Sequence, residues 1–308
     1  MRRREAKRPA GAPAIEAATI TGPLLMLTGI GLFGLLDANS KLLAEDHGVW
    51  QVLLVRFVTM VAGVLVIRAL VPGWGGALTT QFPRLHALRA VVSLGSAVFF
   101  FLAFSTLPLA QGYLVFFTSP FIVLVLAATV LREPPPRIAW VWCVVGFAGV
   151  AIGLAPRFAA GGASASLIGY GYALCGTVCY SAVFILNRQL RAEPGIARVM
   201  LWPALLGLVV SLPLGIAEWT PVSTLGLVQM IVNGVIVAAA VVALAEAFRH
   251  ASAARLAPFG YSGLVWSLTF DLAIWGAVPA WATLAGAGVV IFACVMSERA
   301  SQGTSSGK

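Results

Sequence analysis

The chain has 308 residues, of which 60% are hydrophobic and only 10% are charged. A soluble domain carries about 25% charged residues, so the composition excludes an ordinary soluble domain and indicates a polytopic membrane protein. The net charge of +9 does not indicate a nucleic-acid partner. The basic residues are scattered at the ends of apolar segments rather than gathered on one face.

The apolar residues form ten segments separated by short loops. Each is near the ~20 residues that a helix needs to cross the hydrocarbon core of a bilayer. We therefore predict an all-α membrane protein with ten transmembrane helices. The predicted segments, in chain order, are 20–43, 49–70, 86–106, 109–131, 137–155, 168–187, 199–217, 223–247, 256–274 and 279–297.

Nearly all basic residues fall in alternate loops. The exceptions among the 20 Lys and Arg residues are Lys41, Arg56 and Arg157, whereas the loop after the first segment carries Glu45 and Asp46. The positive-inside rule therefore predicts that both termini are cytoplasmic. The first segment is too long for a signal peptide and is interpreted as an uncleaved span of a bacterial inner-membrane protein.

A weak internal repeat accompanies this pattern. Phe117 and Tyr261 occupy equivalent places in the two halves, as do Ala110 and Ala254, at the same offset. A unit with five spans enters the membrane in opposite senses when it is repeated, so we predict two inverted five-helix repeats. The predicted organisation is a basic tail (1–18), a first repeat (19–155), a linker loop (156–167), a second repeat (168–297) and a C-terminal tail (298–308).

The sequence A-Q-G-Y-L-V-F-F-T-S-P at 110–120, followed by Arg132-Glu133-Pro134, resembles the C-terminal part of an EamA repeat of the drug/metabolite transporter superfamily. A second copy runs from 253 to 261. The resemblance implies ten helices around a central cavity and transport of small metabolites such as amino acids, nucleotide-like molecules or vitamins. One departure is Ala277, where the family often has an acid.

Ionisable residues inside apolar segments are costly, by about 2.5–3.5 kcal/mol each, and are therefore functional candidates. Asp37 and Arg56 lie at similar depth on adjacent segments and are predicted to pair, with Lys41 on the same helical face as Asp37. This group is either a structural ion pair with Lys41 reaching the interface, or a gate or substrate-headgroup site.

Two further acids are candidates for proton coupling. Glu246 precedes Arg249 by three residues, so its alternative role is an ion pair with Arg249 at the end of the helix. Asp271 lies near the end of the ninth segment and has an interfacial position as its alternative.

Aromatic and amide side chains supply the remaining candidates for a cavity with apolar walls and a few polar groups. The alternative for each is packing in the core or against lipid. The candidates for substrate contact are Tyr113, Phe117, Tyr180, Tyr261 and Trp266, and those for hydrogen bonds to a polar headgroup are Asn39, Ser40, Asn187 and Asn233.

The predicted function is secondary transport of a small amphipathic metabolite. Export of aromatic or other apolar amino acids is the leading hypothesis. Import of a riboflavin-, nucleoside- or S-adenosylmethionine-like molecule is the alternative. An intramembrane enzyme is disfavoured because Ser262 has no later histidine partner, and a receptor or scaffold because no soluble domain is recognised. Neither a cofactor nor a metal is expected. The expected partners are a small-molecule substrate and the lipid bilayer, and the protein is expected to be a monomer.

Overall fold

A computed structural model describes residues 20–132, 137–159, 163–190, 193, 195–250, 256 and 259–305. Glu133 and most of the motif at 253–258 lie outside the described residues, as does the N-terminal tail. The described part is helical throughout, without a strand. Its helices are α1 (Thr21–Leu43), α2 (Val49–Leu70), α3 (Pro83–Thr106), α4 (Leu109–Phe116), α5 (Ser119–Val130), α6 (Arg137–Ala159), α7 (Ala163–Gln189), α8 (Ile196–Ala217), α9 (Thr224–His250), α10 (Ser262–Trp275) and α11 (Trp281–Ser305).

The predicted membrane segments are confirmed with small shifts. Seven segments of the described chain are long and apolar enough to span a bilayer, one of them being α4 and α5 together, and two shorter apolar stretches lie within α6 and α11. The ninth segment differs, because its regular helix begins at Ser262 rather than at 256. The fold is the expected one of ten membrane segments in two inverted repeats.

The helices pack mainly between the two halves of the chain, in pairs that an inverted repeat relates to one another. The pair α3 with α7 runs antiparallel, since Arg89 contacts Asn187 at one end and Thr106 approaches Gly169 at the other. Its counterpart is α9 with α1, where Asn39 bonds the Gln229 carbonyl. Two further pairs, α2 with α8 and α6 with α11, each join equivalent helices. Both halves are therefore needed to build one core.

The α6–α11 pair is closely packed at glycines. A Cβ atom added at Gly286 would lie 2.5 Å from the backbone nitrogen of Gly153 and would also overlap the Gly149 carbonyl oxygen. Small residues allow such backbone approach in a membrane, where apolar burial does not drive helices together. Gly149, Gly153 and Gly286 are thus packing residues.

The helix ends define two faces. The basic end carries the loops after α2, α5, α7 and α9, and the acidic end carries Glu45, Asp46 and Glu218. At the basic end, the Glu193 carboxylate accepts bonds from the Thr80 hydroxyl (2.6 Å) and the Gln81 N–H (2.5 Å). The Thr80 bond is the main reason that the pKa of Glu193 lies below its usual value. These bonds connect the loop after α2, in the first repeat, to the loop after α7, in the second repeat.

Candidate functional site

Two membrane segments are interrupted at equivalent positions. α4 ends at Phe116 and α5 begins at Ser119, because Pro120 has no N–H to donate and its ring opposes the preceding turn. In the second half, residues 259–260 are helical, Tyr261 forms a turn, and α10 follows. Phe117 and Tyr261, the equivalent pair predicted from the repeat, lie at these two breaks with ring centroids 6.1 Å apart. The broken helices therefore meet where inverted-repeat transporters form binding sites.

An aromatic cluster surrounds the meeting point of the breaks. Phe116 contacts Tyr180 of α7 at 4.9 Å between centroids in an edge-to-face arrangement, and Tyr113 packs against Phe104 of α3 at 5.9 Å. Such pairs bury large apolar areas, and Phe104 and Tyr113 are accordingly buried. The cluster comprises Phe100, Phe104, Tyr113, Phe116, Phe117, Tyr180 and Tyr261.

Helix α7 indicates an internal space beside this cluster. One group of its exposed residues, near the acidic end, lies on one side of the helix, and a second group, nearer the basic end, lies about half a turn round on the other side. Lipid covers one continuous stripe of a straight helix, so the second group faces an opening within the protein. The first group is Gly171, Leu174, Cys175 and Val178, and the second is Tyr180, Phe184 and Asn187. Tyr180 is 40% exposed although its ring contacts Phe116.

Asp37 lies at the edge of the cluster, and its carboxyl group has one hydrogen-bond partner among the described residues. The Tyr113 hydroxyl donates to its carboxylate at 2.8 Å. Tyr113 also packs on Gly263 of α10, where an added Cβ would lie 3.0 Å from its ring. The Asp37–Tyr113 bond thus connects α1 to α4 beside the start of α10. The sequence pointed to both residues separately but not to their contact.

Arg56 does not form the predicted ion pair with Asp37. Its guanidinium donates to Asn233 Oδ1 (2.6 Å) and to Ser40 Oγ (2.9 Å), and Ser40 in turn donates to the Leu36 carbonyl. Arg56, Ser40 and Asn233 are all buried. This network joins α1, α2 and α9 and leaves Ser40 and Asn233 committed to Arg56.

We expect Arg56→Leu to lower the free energy of unfolding by about 1–2 kcal/mol, because the buried Asn233 Oδ1 would lose its donor and Ser40 would keep only the Asn233 amide as donor. Arg249→Leu is the matched control, since Arg249 is 75% exposed in its pair with Glu246 and exposed pairs contribute about 0–1 kcal/mol. Thermal unfolding in detergent measures both. Equal shifts in the two variants would contradict the assignment of Arg56 as a structural centre.

The predicted residues at the acidic end have defined partners. Lys41 Nζ donates to the Leu107 carbonyl (3.0 Å) and lies 4.6 Å from the centroid of the Trp275 ring. Asp271 is 2% exposed, and its two carboxylate oxygens accept the N–H groups of Leu109 (3.0 Å) and Ala110 (2.8 Å) at the start of α4. Asp271 is therefore buried within the protein, and its position relative to the membrane interface stays a prediction.

The remaining candidates lie outside the cluster. Glu246 accepts from Arg249 at 2.7 Å, which is the predicted helix-end pair. The Asn39 amide donates to the Gln229 carbonyl, and Asn187 accepts from Arg89 at 3.3 Å. Trp266 packs on Gly31, where an added Cβ would meet its ring at 2.8 Å, and on Phe270. The aromatic ring contacts place Trp266 apart from Tyr113, Phe117, Tyr180 and Tyr261, which the fold brings together.

A crevice of about 320 Å³ opens near Asp271. It is bounded by the starts of α4 and α11 and the ends of α6 and α10, with Gln111 and Thr283 as polar groups. Gln111 also accepts a bond from the Tyr170 hydroxyl at 2.8 Å, a contact that the sequence did not suggest. No group of three or more metal-ligating side chains occurs in the described chain.

Comparison with known proteins gives a consistent result. The model of the EamA-like transporter family matches residues 20–154 and 167–298. The pseudopaline exporter CntI of Pseudomonas aeruginosa strain UCBPP-PA14 is 26% identical, over 92% of this chain and 98% of its own. The S-adenosylmethionine uptake transporter of Rickettsia conorii is 26% identical over 86% and 90%.

A solved structure shares the fold. One crystal structure superposes with a TM-score of 0.61 at 18% identity, over 91% of this chain and 98% of the other. At that identity the likeness shows the fold alone.

Proposed function

We propose that this chain, which belongs to the EamA-like transporter family of the drug/metabolite transporter superfamily, moves an amino acid with an apolar or aromatic side chain out of the cytoplasm by alternating access. The family and the relatives are transporters, so the chain is a transporter of small metabolites and not an enzyme. The observation that carries the finer proposal is a half-buried carboxylate, Asp37, bonded to Tyr113 within the aromatic cluster.

The chemistry of the cluster suits an amino acid. The ammonium group of the substrate replaces the Tyr113 hydroxyl as the partner of Asp37, while the ring faces of Phe117, Tyr180 and Tyr261 receive the apolar side chain. Aromatic faces attract cations and pack well against apolar groups. Arg56, already bonded by Asn233 and Ser40, has a supporting role and fixes α1 beside the site.

The charge pattern sets the proposed topology. The basic end is the cytoplasmic face, because Lys and Arg are retained on that side of a membrane. Both termini are then cytoplasmic in a bacterial inner membrane, and the acidic end faces outward. The protein acts as a monomer, with the repeats at 19–155 and 168–297 enclosing the substrate.

A second candidate is uptake of an S-adenosylmethionine-like molecule, with a nucleoside- or riboflavin-like one in the same class. The uptake transporters of Rickettsia conorii and Rickettsia prowazekii, which match over 86% and 83% of this chain, favour it. A flat heterocycle stacks on the same ring faces. The two candidates differ in cargo and direction, so one assay separates them.

Counterflow in proteoliposomes tests both candidates. Vesicles loaded with one unlabelled compound are assayed for uptake of the same compound in labelled form, over a panel of amino acids, nucleosides, S-adenosylmethionine and riboflavin. Exchange of aromatic or apolar amino acids is expected. Exchange of S-adenosylmethionine or a nucleoside without any amino acid would reject the first candidate in favour of the second. Protein-free vesicles are the control.

A further inference from the structure

Asp271 joins the two broken helices at the acidic end of the molecule. Its carboxylate on α10 accepts two backbone N–H groups at the start of α4, at 3.0 and 2.8 Å. The first N–H groups of a helix have no partner within the helix, so an acid there satisfies them and interacts favourably with the helix dipole. The contact joins the second repeat to the first.

Two further bonds connect neighbouring elements at the same level. Asp37 of α1 bonds Tyr113 of α4, and Lys41 of α1 bonds the Leu107 carbonyl at the end of α3. Together with the Asp271 contact, they close α1 and α10 against α3 and α4. The acidic end of the described chain is therefore sealed by polar contacts as well as by packing.

At the basic end, the described residues show no corresponding set of polar contacts, and residues 133–136, 251–255 and 257–258 there lie outside the described chain. The hydrogen bonds found in the described residues include none between α5 and α1, α9 or α10, whereas Tyr180 and Phe184 of α7 face an opening there. The bonds of Glu193 lie to one side and join the neighbours α3, α7 and α8. Among the described residues, polar contacts thus join α1, α3, α4 and α10 at the acidic end, beside the crevice at Asp271.

The internal repeat explains why the seal is one-sided. Phe117 and Tyr261 are equivalent, and the left-handed residues Arg132 (φ 55°) and Gly276 (φ 61°) are separated by the same number of residues. At the same separation, Ala127 is the residue of the first repeat that is equivalent to Asp271. A methyl side chain accepts no hydrogen bond, so the first repeat has no counterpart of the Asp271 contact.

We infer that Asp271 is a one-sided latch, which holds the acidic end closed through the N-terminus of α4 and releases it when that end opens. The latch adds a conformational control to the proposed transport cycle. Its role in transport rests on the proposed function, but the contact itself does not. Closure itself is a property of the fold and can be measured without any substrate.

Thiol labelling tests the latch. Cys143, Cys175, Cys179 and Cys294 are replaced by alanine, and Phe117→Cys is added as a reporter below the seal. A membrane-impermeant methanethiosulfonate reagent is applied separately to each side of the membrane. Labelling of Asp46→Cys, in the exposed loop after α1, identifies the acidic side.

We expect Asp271→Ala to raise the labelling rate of the reporter from the acidic side by about tenfold or more, because two hydrogen bonds to a charged acceptor are lost. Labelling from the basic side should not rise. Asp46→Ala, which removes an acid from the same end outside the latch, should leave the rate unchanged.

Asp271→Asn keeps the size of the side chain and is used in the same labelling test if Asp271→Ala does not fold. Size-exclusion chromatography and thermal unfolding identify folded variants. Unchanged acidic-side labelling in a folded variant would overturn the latch. Failure of every compound in the counterflow panel would reject the proposed function but would leave this labelling result intact.

Discussion

Asp37→Asn is expected to lower amino-acid counterflow about ten- to hundredfold, because a hydrogen bond to a charged group contributes about 1.5–3 kcal/mol. The amide retains the size of the carboxylate but not its charge, so it no longer pairs with an ammonium group. Tyr113→Phe keeps the ring and removes only the hydroxyl that bonds Asp37, and its effect should be a few-fold. Uptake rates at several substrate concentrations separate weakened binding from slower transport.

The matched control is Asp46→Asn, which neutralises an exposed acid in the loop after α1 and should transport at the normal rate. Comparison of two assays then distinguishes two roles of Asp37. If Asp37 binds the substrate cation, counterflow and gradient-driven transport both fall. If it carries only a proton, gradient-driven transport is lost and counterflow is spared. A folded Asp37→Asn variant that is normal in both assays contradicts both roles.

Gly286→Ala should destabilise the fold by about 1–3 kcal/mol, the usual cost of overpacking. The added Cβ would lie 2.5 Å from the Gly153 backbone nitrogen. A backbone atom cannot relieve this clash by a change of rotamer, as a flexible side chain can. α6 and α11 must therefore separate. Thermal unfolding in detergent measures the loss, and oxidative cross-linking of cysteines placed on the two helices measures the separation.

Gly288→Ala provides the control for this substitution. It lies on the same helix two residues away, where an added Cβ meets nothing within 4 Å. Alanine is favoured over glycine inside a helix by about 1 kcal/mol, so Gly288→Ala should be neutral or stabilising. Similar behaviour of both alanine variants would show that the α6–α11 contact adapts easily.

The sequence predicted the membrane segments well but not how each helix is rotated about its axis. Length and hydropathy determine where a span begins and ends, and depth placed Asp37 and Arg56 at similar levels. Helices α1 and α2 carry few polar side chains and have no continuous polar face, so the sequence does not indicate which side chains point at one another. Arg56 therefore reaches Asn233 of α9, a residue far away in the chain, rather than Asp37.

The candidate site was predictable to a similar extent. The internal repeat identified Phe117 and Tyr261, which lie in contact at the two breaks. The partners of Asp271 were not predicted, because they are backbone groups exposed only where α3 ends and α4 begins. No sequence pattern marks an N–H group as a hydrogen-bond donor to a distant acid. Trp266 was grouped with the other aromatics, but its ring packs on glycine of α1.

The matching helix ends at Arg132 and Gly276 show how geometry and charge compete at a single position. Both residues adopt left-handed backbone conformations, which glycine accepts freely and other residues accept at a cost of about 1–2 kcal/mol. On the acidic side the position is glycine, and on the basic side it is arginine. Basic residues favour the cytoplasmic side of a membrane, which is the side proposed for the basic end. The first repeat thus carries a positive charge at a position where the second repeat carries the less strained glycine.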